Sequence, residues 1–408
     1  MGKNKVLQKC RSLTDVALFG YRYKKRVNRW VHGYRAYLKD NILQPPLPAV
    51  LQIIPTEKCN LRCKMCNQWG EKGYFIDGAR KAEHAPEAEM SQFLNEFSRV
   101  NYDFLLSLHG GEPLSYPGLS GLLETINEKK IDTMITTNGT LMEKHAPALA
   151  KANKHILYLL SIDGDDETND SIRGTGVSQK IRDGIEMLNE HCMKMGTGSV
   201  KIIINFCLSE HNIDAVDDIY KIGRSLKAMF VNVNFRWYLR EGIGEAYDKI
   251  LQQEFNIKGS GAWKGWLCES DFGGISKAIE HVYKKSRSIR GRLIPPYYKK
   301  MPSTLSEVQA NEFYAGYDQN FNIGGCIMPS FHARIHSNGD LIYCPGHPDV
   351  IPGNVFREDF ITIFHNELSS KFRKYVEKQL LPICNRCCGL YMTHEATRKL
   401  GAPFFVHK

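Results

Sequence analysis

Three cysteines fall in the run Cys59-Asn60-Leu61-Arg62-Cys63-Lys64-Met65-Cys66, a C-x3-C-x2-C spacing directly after the apolar stretch Val50 to Ile54. Three thiolates on one tight loop can hold three irons of a four-iron cluster. The fourth iron then lacks a protein ligand and is open to chemistry. A structural zinc site asks for a fourth Cys or His close by, but the next cysteine is Cys192. Gly110-Gly111-Glu112-Pro113 follows the apolar residues Leu105 to Leu108. Two glycines lacking Cβ atoms let a backbone pass close to a ligand, with amides and carbonyls free to grip a small polar group.

With these residues in place, the chain resembles the radical S-adenosylmethionine (SAM) enzymes. The likeness extends through Thr136-Thr137-Asn138-Gly139, Ser161-Ile162-Asp163-Gly164 and Asp170-Ser171-Ile172-Arg173-Gly174. It covers roughly residues 48–210 and resumes near 320–390. Met65 stands where the family usually has an aromatic residue; a flexible apolar side chain can still pack beside adenine. The resemblance implies an open iron that chelates SAM. A low-potential electron, from a flavodoxin- or ferredoxin-like donor, would cleave its sulfonium C–S bond. The resulting 5′-deoxyadenosyl radical would take hydrogen from a peptide, sugar or other small molecule. It further implies Gly110, Gly111 and Glu112 at the amino end of SAM, Ser161 at the ribose, Arg173 at the carboxylate, and Asn138 among the cofactor contacts.

Read without the family, the same residues have plainer roles. Arg173 suits a surface ion pair, Ser161 a strand-end turn, and Asp163 a cap for the turn that follows. Asn205 and Asn234 interrupt apolar runs and read as satisfied barrel polar groups, with SAM or substrate contact as the alternative. The acids, histidines, tyrosines and cysteines are too many for the sequence to single out a catalytic acid, base or hydrogen donor.

A second cysteine group begins at Cys326 and continues with Gly339-x4-Cys344, Cys384-x2-Cys387 and Cys388. It resembles the C-terminal SPASM or twitch extension of the family. A full SPASM domain uses seven cysteines for two clusters, whereas five follow residue 320 here. The expectation is one auxiliary four-iron cluster on Cys326, Cys344, Cys384 and Cys387, with Cys388 as a substitute for its neighbour. The rival is a structural zinc. Asn338-Gly339-Asp340 signals a hairpin turn, Gly353-Asn354 a further turn, and Ser369 to Lys378 a helix.

The elements that must carry these loops alternate. Strand-like runs lie at Ala49–Ile54, Phe104–Leu108, Thr133–Thr137, Ile156–Ile162, Val200–Leu208 and Phe230–Trp237, with helical patterns between them, as at Ala88–Arg99, Gly118–Lys129 and Ile181–Lys194. Six such units argue for parallel βαβ pairing. In such sheets ligands sit at the carboxyl ends of the strands, where the cysteine run, Gly110, Asn138 and Ser161 all fall. The fold implied is α/β, a partial (β/α)6 barrel with a C-terminal cluster domain and a basic N-terminal helical arm. The expected division is 1–46 arm, 47–245 barrel, 246–320 linker or substrate-side segment, 321–395 auxiliary domain and 396–408 tail. Within 240–320 a helical stretch is expected only near Ile275 to Ser286, and Pro295 to Lys300 reads as a loop.

The formal charge is +10, and residues 1–40 hold eleven Lys or Arg against two Asp. Aromatics are interleaved there: Tyr21, Tyr23, Trp30, Tyr34 and Tyr37. Such an arm can meet an anionic membrane surface or an acidic partner; the plainer reading is a helix packed on the barrel. Nucleic acid is not expected, because no recognised nucleic-acid-binding fold accompanies the charge. No apolar run of 18 residues and no signal peptide is seen, so the expectation is a cytoplasmic enzyme, with peripheral membrane contact through the arm as an option. The non-enzyme alternative is a zinc-binding adaptor with a basic arm for nucleic acid or membrane.

Overall fold

In the computed structural model, residues 19–37, 44–267, 291–294 and 325–387 are described, apart from positions 35, 38–43, 72, 77–80, 237–238 and 345–347. The expected helix near Ile275, the loop at Pro295 and Cys388 lie outside these residues.

Six strands form where the β-branched and apolar runs predict them: β1 (Val50–Thr56), β2 (Leu105–Gly110), β3 (Thr133–Thr137), β4 (Ile156–Ser161), β5 (Ile202–Leu208) and β6 (Phe230–Phe235). Helices lie between them: α2 (Glu87–Val100), α3 (Leu119–Lys129), α4 (Met142–Ala152), α5 (Asp166–Arg173), α6 (Val177–Met195) and α7 (Val216–Ser225). Parallel pairing runs unbroken from β1 to β6. The sheet is larger than six strands. β7 (Gly291–Ile294) joins β6, and the hairpin β8 (His332–Ile335) and β9 (Leu341–Ile342) joins the free side of β1, giving nine strands among the described residues in the order β7-β6-β5-β4-β3-β2-β1-β8-β9. The Asn338-Gly339-Asp340 turn closes that hairpin, with Gly339 at φ +89°. A helix over Glu367–Lys378 follows as expected.

One further helix, α8 (Glu241–Ile250), lies where the sequence suggested none.

Alternate strand residues join two separate cores. Leu51, Ile53, Leu106, Leu108 and Ile204 pack against the helices. Val50, Leu105, Leu157 and Ile203 pack instead against the N-terminal helix, α1 (19–34). Phe19, Tyr23, Val27, Trp30 and Tyr34 form its buried stripe, spaced as one helix face. Its arginines are equally committed. Arg22 holds both oxygens of Asp132, at 2.7 and 2.6 Å. Arg26 reaches Asp103 at 3.2 Å and Asp132 at 3.3 Å, and Arg29 pairs with Asp103. Asp103 and Asp132 stand just before β2 and β3, so α1 closes the amino-terminal floor of the barrel. The plainer reading of the arm therefore holds for this helix. The aromatic stripe offered to a membrane surface is spent on the core, with Tyr21 the exposed exception. No helix among the described residues is long and apolar enough to cross a membrane.

Candidate active site

The cysteine loop leaves β1 at the carboxyl end of the barrel and is fastened from four sides. From β2, the Gly111 amide donates to Thr56 O at 3.0 Å and the Glu112 amide to Lys58 O at 3.0 Å. A Cβ on Gly111 would stand 2.2 Å from Lys58 O, and one on Gly110 2.3 Å from Thr56 O. The close approach permitted by the glycines is thus to the chain entering the cysteine loop. From β3, Asn138 Nδ2 donates to Asn60 Oδ1 at 2.9 Å, and Asn60 Nδ2 donates to Thr140 Oγ1 at 2.9 Å. From α5, Ile172 O accepts from the Lys64 amide at 3.0 Å. From within, Trp69 Nε1 donates to Glu57 O at 2.8 Å, and Arg62 lies over the Trp69 ring at 4.1 Å.

Glu112 is buried and its carboxylate is already occupied. It accepts from Leu114 N at 3.0 Å, Thr137 Oγ1 at 2.7 Å and Asn138 N at 2.8 Å. Burial holds its carboxyl above the usual carboxylate range, and those donors offset the shift only in part. Glu112 therefore joins the ends of β2 and β3.

Arg173 ends α5 inside the protein and is not a surface ion pair. Its Nη2 stands 2.6 Å from Asp163, which is fully buried. Its Nη1 donates to Cys63 Sγ at 3.8 Å. Burial works against the Arg173 charge, and Asp163 and Cys63 more than offset it. Asp163 does not cap the following turn: its Oδ1 accepts from Cys207 N at 2.8 Å. The cap of α5 is Asp165, which accepts from Thr168 N. Ser161 ends β4 in register with Asn205 of β5. Asn205 Oδ1 accepts from Asn232 and Asn234 of β6, which satisfies part of this amide group.

The donor chemistry suits a cluster. Cys59, Cys63 and Cys66 are free and half-buried. Sulfur acceptors already receive backbone amides, Leu61 N to Cys59 at 3.5 Å and Trp69 N to Cys66 at 3.4 Å, as cluster thiolates do. Burial pushes the metal-free Cys59 thiol up to about 12; bound iron would deprotonate it outright. Among the described residues no three His, Cys, Asp or Glu side chains converge on one ion position. Cluster thiolates need no such point, since each holds a different iron.

The second group gathers beside the β8–β9 hairpin. Cys344 follows β9, Cys326 precedes a short helix over Met328–Phe331, and Cys384 and Cys387 lie on and just after the turn Pro382–Arg386. The Cys326 amide donates to Val376 O at 2.7 Å and the Cys387 amide to Cys384 O at 2.9 Å. Burial raises Cys344 most, and the neighbouring Cys384 and Cys326 raise it further. Three of the four expected ligands are thus brought together. Two buried side-chain bonds couple this hairpin to β1: Arg334 Nε to Gln52 Oε1 at 2.6 Å, and His336 Nδ1 with Glu57 Oε1 at 3.1 Å. Sequence reasoning missed both. The signal was His332-Ala333-Arg334-Ile335-His336, a period-two alternation with polar residues on one face.

Comparison with known proteins agrees with this geometry. Residues 53–221 match the radical SAM superfamily, and residues 326–388 match the SPASM iron–sulfur cluster-binding domain. The AdoMet-dependent heme synthase of Methanosarcina barkeri is 23% identical over 81% of this chain and 86% of its own length. The subtilosin biosynthesis protein AlbA of Bacillus subtilis is 25% identical over 48% of this chain and 41% of its own. Among solved structures, Streptococcus suis SuiB bound to S-adenosylmethionine superposes with a TM-score of 0.57 at 21% identity, covering 86% of this chain and 75% of SuiB. These domains imply a four-iron cluster with SAM, and auxiliary iron–sulfur ligation in the C-terminal region. The chain belongs to the radical SAM superfamily and is an enzyme of its SPASM-bearing branch.

Proposed function

We propose that Cys59, Cys63 and Cys66 hold the SAM-binding cluster, and that Cys326, Cys344, Cys384 and Cys387 hold a single auxiliary four-iron cluster. When bound, the first cluster and SAM supply a radical able to take hydrogen from an unactivated C–H. The chain's own residues hold and orient. Gly110 and Gly111 set the height of the cysteine loop, and Asn138 ties it to β3. Glu112 braces the glycine turn beside the amino end of SAM, its carboxylate on Leu114, Thr137 and Asn138 and its amide on Lys58. Ser161 would hold the ribose. Arg173 keeps one edge for the SAM carboxylate, because its buried Nε has no hydrogen-bond partner among the described residues.

The observation that carries this reading is the four-sided anchoring of one cysteine loop at the barrel mouth, with a second cysteine group bonded to the same strand through β8. The first cysteine group would hold the cluster that supplies the hydrogen-abstracting radical, and the second would hold one able to accept an electron. The substrate class is a peptide or a small molecule. SuiB has been solved with its precursor peptide SuiA, and the heme synthase is named for a tetrapyrrole product. The electron donor is a flavodoxin- or ferredoxin-like protein.

The test is anaerobic reconstitution followed by a low-potential reductant and SAM. About eight irons per chain and formation of 5′-deoxyadenosine are expected. Cys63→Ala should abolish the product; product persisting in that variant removes the site. The zinc adaptor would instead bind zinc and leave SAM intact.

A further inference from the structure

The Arg173 guanidinium sits between a cluster sulfur and a buried acid. Nη1 is 3.8 Å from Cys63 Sγ, and Nη2 is 2.6 Å from Asp163. The Arg173 side chain is 10% exposed and that of Asp163 is 0% exposed, so solvent screens neither charge well. The pair is also fixed from behind. Asp163 Oδ1 accepts from the Cys207 amide at 2.8 Å, its own amide donates to Asn169 Oδ1 at 2.9 Å, and its carbonyl accepts from Asn212 Nδ2 at 3.1 Å. Arg173 is fixed through α5, whose Ile172 carbonyl holds Lys64 of the cysteine loop. Side-chain orientation relative to Cys63 is thus set by three separate elements.

Hydrogen bonds to cluster sulfurs and nearby net charge are two of the levers that set an iron–sulfur reduction potential. A positive donor on a thiolate favours the electron-rich form; a negative charge behind it does the reverse. We propose that Arg173 and Asp163 form an opposed charge pair that sets the reduction potential of the cluster on Cys59, Cys63 and Cys66. Arg173 raises it through the Cys63 thiolate, and Asp163 holds it down. The inference rests on the cluster assignment made above. Asp163 is a positioning residue, and the effect of Arg173 on the potential runs through its Nη1 on Cys63, separately from the edge it keeps for the SAM carboxylate.

The experiment is a reductive titration of the reconstituted full-length chain without SAM, with titanium(III) citrate supplying one electron per cluster. It follows the electron paramagnetic resonance signal that later changes on adding SAM, which identifies the cluster with the open iron. Arg173→Gln should shift its midpoint down and Asp163→Asn should shift it up. Arg173→Lys, which keeps the charge and loses the planar fork, should fall between wild type and Arg173→Gln. Iron content and circular dichroism confirm loading and fold; if Asp163→Asn fails to fold, the two Arg173 variants still decide. Opposite signs support the proposal, since general loosening of the site would move both variants the same way. A midpoint unmoved in loaded Arg173→Gln, with SAM affinity reduced, overturns it in favour of carboxylate binding alone. A SAM-responsive signal surviving in Cys63→Ala would overturn the cluster assignment itself, and with it the proposal.

Discussion

Asn138 Nδ2 donates to Asn60 Oδ1 at 2.9 Å, joining the end of β3 to the second residue of the cysteine loop. The same Asn138 accepts from Thr140 N at 3.0 Å and gives its own amide to Glu112 at 2.8 Å. One residue thus relays the β2–β3 junction to the loop, its backbone on Glu112 and its side chain on Asn60. Asn138→Ala removes the relay at a cost of about 1–2 kcal/mol in loop placement. The expected outcome is a roughly tenfold slower formation of 5′-deoxyadenosine with iron content retained. An initial-rate assay normalised to iron checks it, and equal rates would make the tether dispensable.

Gly111→Ala should act earlier, on loading itself. The new Cβ would meet backbone oxygens of both Lys58 and Glu57, at 2.2 and 2.4 Å, and backbone cannot swing aside as a side-chain tip can. The loop entrance must shift, so the variant should retain about four of about eight irons, those of the auxiliary group. Cys344→Ala should lose the other half while keeping the SAM-responsive signal. Iron analysis with and without a SAM-dependent spectral change separates the two.

His332 gives the fold a pH limit. It is buried on β8 at 7% exposure, and its Nδ1 has no hydrogen-bond partner among the described residues. Burial, then Arg334 and His109, lower its pKa to about 3. The unfolded chain takes up the proton near the ordinary value of about 6.5, and the folded chain does not. Stability from this group is therefore present above about 6.5 and lost as pH falls toward 3, by about 1.4 kcal/mol per unit. Denaturation midpoints between pH 6 and 4 should show His332→Gln losing roughly one proton of that slope. A slope equal to wild type would contradict the assignment.

How much of this was legible depended on the range of the interaction. The strands were legible because β-branched and apolar runs are local, and the hairpin because Asn-Gly-Asp sets its own backbone. Helix α8 was not, because Gly242 and Gly244 weaken any local helical signal. The structure supplies the reason for one of them: a Cβ on Gly244 would stand 2.1 Å from the Trp263 ring, so packing overrides propensity. The cysteine spacing pointed to the candidate site, yet the work of Glu112, Asn138 and Asp163 depends on partners 25 to 78 residues away. Asp163 and Asp165 look equally able to cap α5 in one dimension. Only the fold places Cys207 N beside the first and Thr168 N beside the second.

The N-terminal helix decides between a floor and a membrane arm, and Trp30 separates them. Its ring stacks on Tyr34 at 4.8 Å and meets Phe331 edge-on at 4.9 Å. Phe331 immediately precedes β8, so α1 also supports the hairpin beside which the second cysteine group gathers. Truncating a buried Trp costs about 3–5 kcal/mol. Trp30→Ala should therefore lower the urea midpoint sharply and loosen auxiliary iron, while anionic liposome binding by the full chain stays as in wild type. A membrane arm predicts the reverse, since an interfacial Trp contributes to partitioning and little to folding. Arg26→Met sharpens the distinction. It leaves Asp103 and Asp132 with Arg29 and Arg22 as their remaining partners, so stability should fall again, by less than for Trp30→Ala, whereas a lost surface charge would weaken only the liposome term.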